Sequence, residues 1–388
     1  MSIRLDAPLE EIRRRRGAKW TAFGEETLPA WVADMDFPIA PCIKDAILDV
    51  MEREDAGYVS AATLQALGAA FAARMTGRFG WEPDPTQVLP VGDLIQAMLA
   101  SVGTFCQPGE GVVIQTPIYP PFLKIVKSLG RRLVANPLVA GADRFEMDLD
   151  ALRNAIDAGT RLVLFCNPHN PTGRVFERAE LEGLAALALE HDLVVVSDEI
   201  HSDLVYPGGT HIPFASLGPE IASRTITITG ASKAFNIAGL KCALVHFGSA
   251  ELMARQTRAF PERLLGVPNI LGIEATLAAW RAGEEWLDAV LEQLHTNRRV
   301  LYDFLAKRLP RVVAHAPEAS YLAWLDCGDL GLTPRPYEFF LSEARVALSD
   351  GGEFSDRSDR FVRLNFATPP WALQQILERM AASVERAA

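Results

Sequence analysis

The sequence has little cysteine. Only Cys42, Cys106, Cys166, Cys242 and Cys327 occur in 388 residues, an odd number with no C-x-x-C pair. That excludes a disulfide framework and a zinc knuckle, and it fits a reducing compartment, so a cytoplasmic location is expected. Positive charge is also scarce: 38 Lys and Arg stand against 49 Asp and Glu, a formal net charge of -11. A surface of that sign repels a nucleic-acid backbone and excludes nucleic acid as the main partner. The one basic block, Arg13 to Arg16, follows Glu10 and Glu11 and reads as a solvated or dimer-facing helix. No long charge-free apolar run and no apolar leader occur, so neither a membrane span nor export is expected. His169, His211 and His246 lack metal-ligand spacing, and no metal site is expected.

What is present is a chain long enough for two domains, 49% hydrophobic and 22% charged. Its organising stretch runs from Thr225 to Lys241. Ile226 and Ile228 alternate with threonines as in a buried strand, a Gly-Ala-Ser turn follows, and then comes Lys233 among small and apolar neighbours. A Lys in that setting loses hydration and its pKa falls, which suits an amine that forms a Schiff base; otherwise it merely starts a loop. Upstream, the apolar run Val194 to Val196 ends at Asp198, where open α/β sheets bind ligands. A Schiff-base Lys with a carboxylate for a pyridinium nitrogen is what pyridoxal 5'-phosphate (PLP) chemistry requires.

Three motifs then combine: Asn167-Pro-His-Asn170-Pro-Thr-Gly173, Ser197-Asp198-Glu-Ile-His201, and Ser232-Lys233-Ala-Phe-Asn-Ile-Ala-Gly-Leu-Lys241. Together they resemble the large domain of fold-type I PLP enzymes, the aspartate aminotransferase superfamily. With Trp31-Val-Ala-Asp-Met-Asp-Phe37 and Thr116-Pro-Ile-Tyr-Pro-Pro-Phe122 the sequence resembles the MalY/PatB-like branch of cystathionine β-lyases and related carbon–sulfur lyases, over nearly the whole chain. The resemblance implies an α/β fold: a large PLP-binding domain, residues 46–282, with a mostly parallel seven-stranded sheet between helices. It also implies a smaller α+β domain formed by residues 283–388 together with the 1–45 arm. From about Trp280 to Leu309 the chain reads as one long helix with only a few breaks, suited to joining the two.

Several site residues have a physical reading beside the one the resemblance implies. Gly92, Asp93 and Leu94 sit where a strand meets a helix N-terminus, whose free N–H groups suit a phosphate. Asp93 is expected to cap that helix, so the phosphate contact would come from backbone. A proline-stiffened loop presents Tyr119, either to stack on a flat ring or to fill the core; the resemblance places it over the cofactor, within the catalytic set. Arg363 lies inside the apolar run Phe361 to Phe366, which is costly unless its charge is matched. It serves either an internal salt bridge or, as the resemblance implies, the substrate carboxylate.

Other roles come from the resemblance alone. Asn170 would meet the cofactor's phenolate oxygen and the substrate, and His201 would either do the same or bond backbone. Ser232 and Lys241 would hold the phosphate, and backbone near Ala33 and Asp34 the substrate carboxylate. Tyr58 would reach the phosphate of the other subunit, so a homodimer with shared sites is expected. The implied function is a β-lyase that splits cystathionine or another L-cysteine S-conjugate into thiol, pyruvate and ammonia. An aminotransferase shares these motifs, and a PLP-bound regulator is a third reading.

Overall fold

The structure is a computed structural model and describes residues 3–387. Seven strands form its main sheet: β1 (Val88–Val91), β2 (Gly111–Thr116), β3 (Arg132–Pro137), β4 (Thr160–Cys166), β5 (Val194–Asp198), β6 (Thr225–Thr229) and β7 (Ala243–Phe247). Their spatial order is β1-β7-β6-β5-β4-β2-β3. Only β7 runs antiparallel to its neighbours, β1 and β6. The remaining pairs are parallel. All five residues of β6 and all six of β2 are buried, as expected of strands covered by helices on both faces. The resemblance implied this mostly parallel seven-stranded sheet, and it is present.

Helix boundaries follow local chemistry. Ser60 accepts from the Thr63 N–H to start Ala61–Phe79, and Gly80 ends it at φ 67, a conformation costly for residues with a Cβ. Asp93 caps Leu94–Phe105 as its sequence position suggested. The long helix read from about Trp280 to Leu309 is present over most of that stretch, with one break near its start. The chain forms Ile270–Ala282 and then Glu284–Arg308, with the break at Gly283. A Cβ at Gly283 would lie 2.5 Å from the Ala279 carbonyl oxygen and 2.6 Å from the Phe235 ring, so close packing fixes glycine there.

A second, antiparallel sheet contains β8 (Leu322–Asp326), β9 (Ser349–Asp350) and β10 (Phe361–Asn365), with β10 in the middle. The N-terminal segment joins the two sheets. Leu28–Pro29 pairs in parallel with Val346–Ala347 beside the small sheet. A few residues on, Met35 and Phe37 are tied to Asn236, just beyond β6. Phe37 is fully buried, an anchor worth about 1.5–3 kcal/mol. A buried ion pair, Lys19 Nζ to Asp36 Oδ2 at 2.8 Å, fixes the segment against itself, and Trp20 Nε1 donates to the other Asp36 oxygen at 2.7 Å. Among the described residues no helix is long and apolar enough to cross a membrane.

Candidate active site

The carboxyl ends of β2, β4, β5 and β6 face one cavity of about 410 Å³, where open α/β sheets bind ligands. It is lined by Ala33, Gly92, Asp93, Leu94, Tyr119, Asn170, Asp198, His201, Ser232, Lys233, Lys241 and Arg363. Segments far apart in sequence therefore converge as the motifs suggested. Two expected residues do not line it. Asp34 turns its carbonyl to Lys19 Nζ and Asn365 Nδ2. Tyr58 stands fully exposed on its own chain at 108%.

Lys233 is enclosed, and its Nζ donates to the Ala33 carbonyl at 3.0 Å. Burial pushes its pKa below the ordinary lysine value; Asp34 opposes that shift and Arg363 adds to it. Asp198 ends β5 with 4% exposure. Its Oδ1 accepts from the Ile200 N–H at 3.1 Å, while Oδ2 has no hydrogen bond among the described residues. Burial pushes its carboxyl up to about 7, against the pull of the Ile200 N–H and of Lys233. A buried carboxylate in that condition calls for a cationic N–H donor. His201 is held neutral: burial, then the Lys233 and Arg363 cations, lower it to about 3, and its Nδ1 has no partner.

Arg363 is buried in the middle strand of the small sheet. Nη1 donates to Asn170 Oδ1 at 2.9 Å, and Nη2 donates to the Trp31 carbonyl and Ser349 Oγ, both at 3.0 Å. It has no carboxylate partner among the described residues, and its buried Nε is unpaired. Burial lowers it to about 10, offset by Tyr119, Tyr321 and Glu353. Phe354 lies beneath the guanidinium at 5.1 Å. An internal salt bridge does not account for this arginine. A fork with only neutral partners, on three of its five N–H groups, is ready for an incoming carboxylate.

At the other end of the cavity Asp93 does two things. Oδ1 accepts from the Ile95 and Gln96 N–H groups at 2.8 and 3.3 Å, and Oδ2 pairs with Lys241 Nζ at 2.6 Å. Burial raises the Asp93 carboxyl, but the hydrogen bond and charge of Lys241 and the two backbone N–H groups outweigh it and hold it below the usual range. The Asp93 and Leu94 N–H groups and Ser232 Oγ make no hydrogen bond among the described residues. Unpaired donors at a helix start beside a lysine fit an anion. A flat group with a phosphate at one end and a basic ring nitrogen at the other therefore matches the cavity, as PLP requires.

Three residues that motif reading passed over shape the site. Tyr321 donates from its hydroxyl to the Ala33 carbonyl at 3.0 Å, the same oxygen that Lys233 uses. Ser349 Oγ bridges Arg363 and the Trp31 carbonyl. Asn365 Nδ2 donates to the Val32 and Asp34 carbonyls at 2.6 and 2.7 Å. The available signal was polar residues ending otherwise apolar strand runs. Among the described residues, no group of three His, Cys, Asp or Glu could hold a metal ion.

With this geometry in hand, the comparisons with known proteins fall into place. The profile of the family described as Aminotransferase class I and II matches residues 32–380, and the chain belongs to that family. Within it the chain is similar to the cystathionine beta-lyase of Corynebacterium glutamicum, 36% identical over 375 residues, covering 96% of this chain and 98% of that protein. Among solved structures it is similar to OvoB, 37% identical with a TM-score of 0.92 over 99% of this chain and 98% of that one. It is also similar to cystalysin from Treponema denticola, which contains a pyridoxal 5'-phosphate cofactor: 28% identical, TM-score 0.94, all of both chains covered.

Proposed function

We infer that this chain is a PLP-dependent carbon–sulfur β-lyase that splits cystathionine or a related L-cysteine S-conjugate into thiol, pyruvate and ammonia. The observation that carries the chemistry is one cavity holding a half-buried lysine, Lys233, and a buried arginine, Arg363, neither with a carboxylate partner among the described residues, and one buried carboxylate, Asp198. The similarity to cystathionine beta-lyases carries the choice of reaction. When bound, PLP supplies an electron-withdrawing ring that stabilises negative charge at the substrate Cα.

The chain's residues divide the remaining work. With PLP bound, Asp198 would sit at the ring nitrogen and keep a proton there. The Asp93 and Leu94 N–H groups, Gly92, Ser232 and Lys241 would hold the phosphate. Tyr119 would stack on the ring, and Asn170 Nδ2, which has no partner among the described residues, would donate to the ring oxygen. His201 stays neutral and completes that side of the pocket. Arg363, with Asn170 and the Ala33 N–H, receives the substrate carboxylate and so fixes which Cα bond faces Lys233. Lys233, with its lowered pKa, takes the Cα proton to Nζ, and the thiolate leaves from Cβ.

Residues 46–282 are taken as the cofactor-binding domain, and residues 1–45 with 283–388 as the arm and small domain. Two copies pair so that Tyr58 serves the partner's phosphate. Its full exposure supports this, as do exposed Leu48 and Met51 on the helix Pro41–Glu52, and exposed Leu264 and Val267 in the segment that leads into the helix Ile270–Ala282 packed against it. Five free cysteines support a cytoplasmic location.

The test is a paired assay on purified protein with L-cystathionine. Pyruvate and free thiol appear without any acceptor, and Lys233→Ala lowers that rate by about 10²–10⁴. New amino acid formed only when a 2-oxo acid is added would make the chain an aminotransferase instead.

A further inference from the structure

The mouth of the cavity carries two charges that the reaction at Cα does not use. Lys124 lies on the helix Pro120–Ser128, one turn after Tyr119. Glu353 closes the short turn Gly351–Glu353 that precedes Phe354. Both line the cavity and both are exposed. The two segments are joined by backbone, since the Ile118 N–H donates to the Phe354 carbonyl at 3.0 Å. Neither Lys124 nor Glu353 forms a hydrogen bond or ion pair among the described residues, and they do not pair with each other.

An unmatched cation and an unmatched anion on one rim suit a ligand that brings both signs at once. A ligand with only an extra carboxylate would meet Glu353, and one with only an extra amine would meet Lys124. A neutral alkyl tail gains from neither. The amino acid held at Lys233 and Arg363 directs its side chain toward the opening, because its carboxylate and Cα are engaged deeper in the cavity. We propose that Lys124 and Glu353 select L-cysteine S-conjugates whose S-substituent itself ends in an α-amino acid, Lys124 taking the distal carboxylate and Glu353 the distal ammonium. This rests on the β-lyase reading above.

The experiment compares L-cystathionine with S-ethyl-L-cysteine, which has the same reacting end and no distal charge. Lys124→Gln and Glu353→Gln are each expected to lower the kcat/KM ratio of cystathionine to S-ethyl-L-cysteine by about two- to fivefold, the scale of one exposed ion pair, and to do so through KM. A ratio unchanged in both variants overturns the proposal. So does an equal fall for the two substrates, or a fall confined to kcat. Binding supplies a second readout. In the Lys233→Ala background, calorimetric titration gives the dissociation constant of each conjugate without turnover. Adding Lys124→Gln is expected to weaken cystathionine about two- to fivefold more than S-ethyl-L-cysteine, and no difference between the two overturns the proposal. Absence of turnover of either conjugate by the unmodified chain would sink the β-lyase reading, while the titration would still decide the roles of Lys124 and Glu353.

Discussion

At the residue scale, Asp198 makes the clearest prediction. Burial lifts its folded-state pKa to about 7, well above an ordinary carboxyl group. The folded chain without cofactor therefore holds a proton that the unfolded chain has already lost. The sign follows from linkage: the contribution to stability is full below the usual carboxyl range, falls as pH rises, and is gone above about pH 7. Between pH 5.5 and 8 this contribution alone lowers the melting temperature of the cofactor-free protein, while His169, His201 and His246, which burial lowers to about 3, 3 and 4, act the other way. The prediction is therefore a difference: the melting temperature of Asp198→Asn should gain on that of the unmodified chain as pH rises from 5.5 to 8, and a constant gap would refute the assignment. PLP should narrow that difference, by giving Asp198 a cationic partner. Lys233, Asp198 and Arg363 were legible in the sequence for one reason: a charge inside an apolar run is costly enough to mark itself. Tyr321, Ser349 and the rim pair Lys124 and Glu353 carry no such mark. Their importance arises from contacts across 288 residues in the case of Tyr321 and Ala33, a separation that local pattern does not encode.

At the element scale, the N-terminal arm shows how an irregular segment is held. Trp31 and Phe37 beside acids and a proline marked the segment as extended. The buried Lys19 to Asp36 pair beneath it was not foreseen, because Lys19 looks like an ordinary surface lysine in sequence. With side-chain exposures of 4% and 1%, this pair lies out of water. Lys19→Met leaves Asp36 charged and buried, and is expected to cost about 3–5 kcal/mol in denaturant unfolding. The double change Lys19→Met with Asp36→Leu should recover much of that loss. Additive losses would show that the two side chains do not act as a pair. Sequence periodicity also missed the interruption at Gly283. The hydrophobic spacing continues across it, and only the nearness of Phe235 and the Ala279 carbonyl explains the break.

At the scale of the whole molecule, the fold class was the most legible feature, because the motifs after the strands ending at Cys166, Asp198 and Thr229 carry a resemblance that implies the whole α/β fold, and such motifs lie at the carboxyl edge of a parallel sheet. Assembly is tested by mixing. Tyr58→Ala and Lys233→Ala chains are each expected to be poor enzymes alone. Unfolded together and refolded, they should regain about one quarter of the unmodified activity, because half the pairs are mixed and each mixed pair has one intact site. No recovery would place Tyr58 outside the partner's site.

The arm also sets an order of events. Arg363 reaches the Trp31 carbonyl across 332 residues, and Lys233 reaches Ala33 across 200. Closing loops of that length is entropically slow compared with pairing neighbouring strands. During synthesis, the segment made among the first must wait, unsatisfied, until the strand bearing Arg363 leaves the ribosome. The catalytic chamber is thus sealed last, and a nascent chain that already carries Lys233 and Asp198 still lacks the wall that receives the substrate's carboxylate.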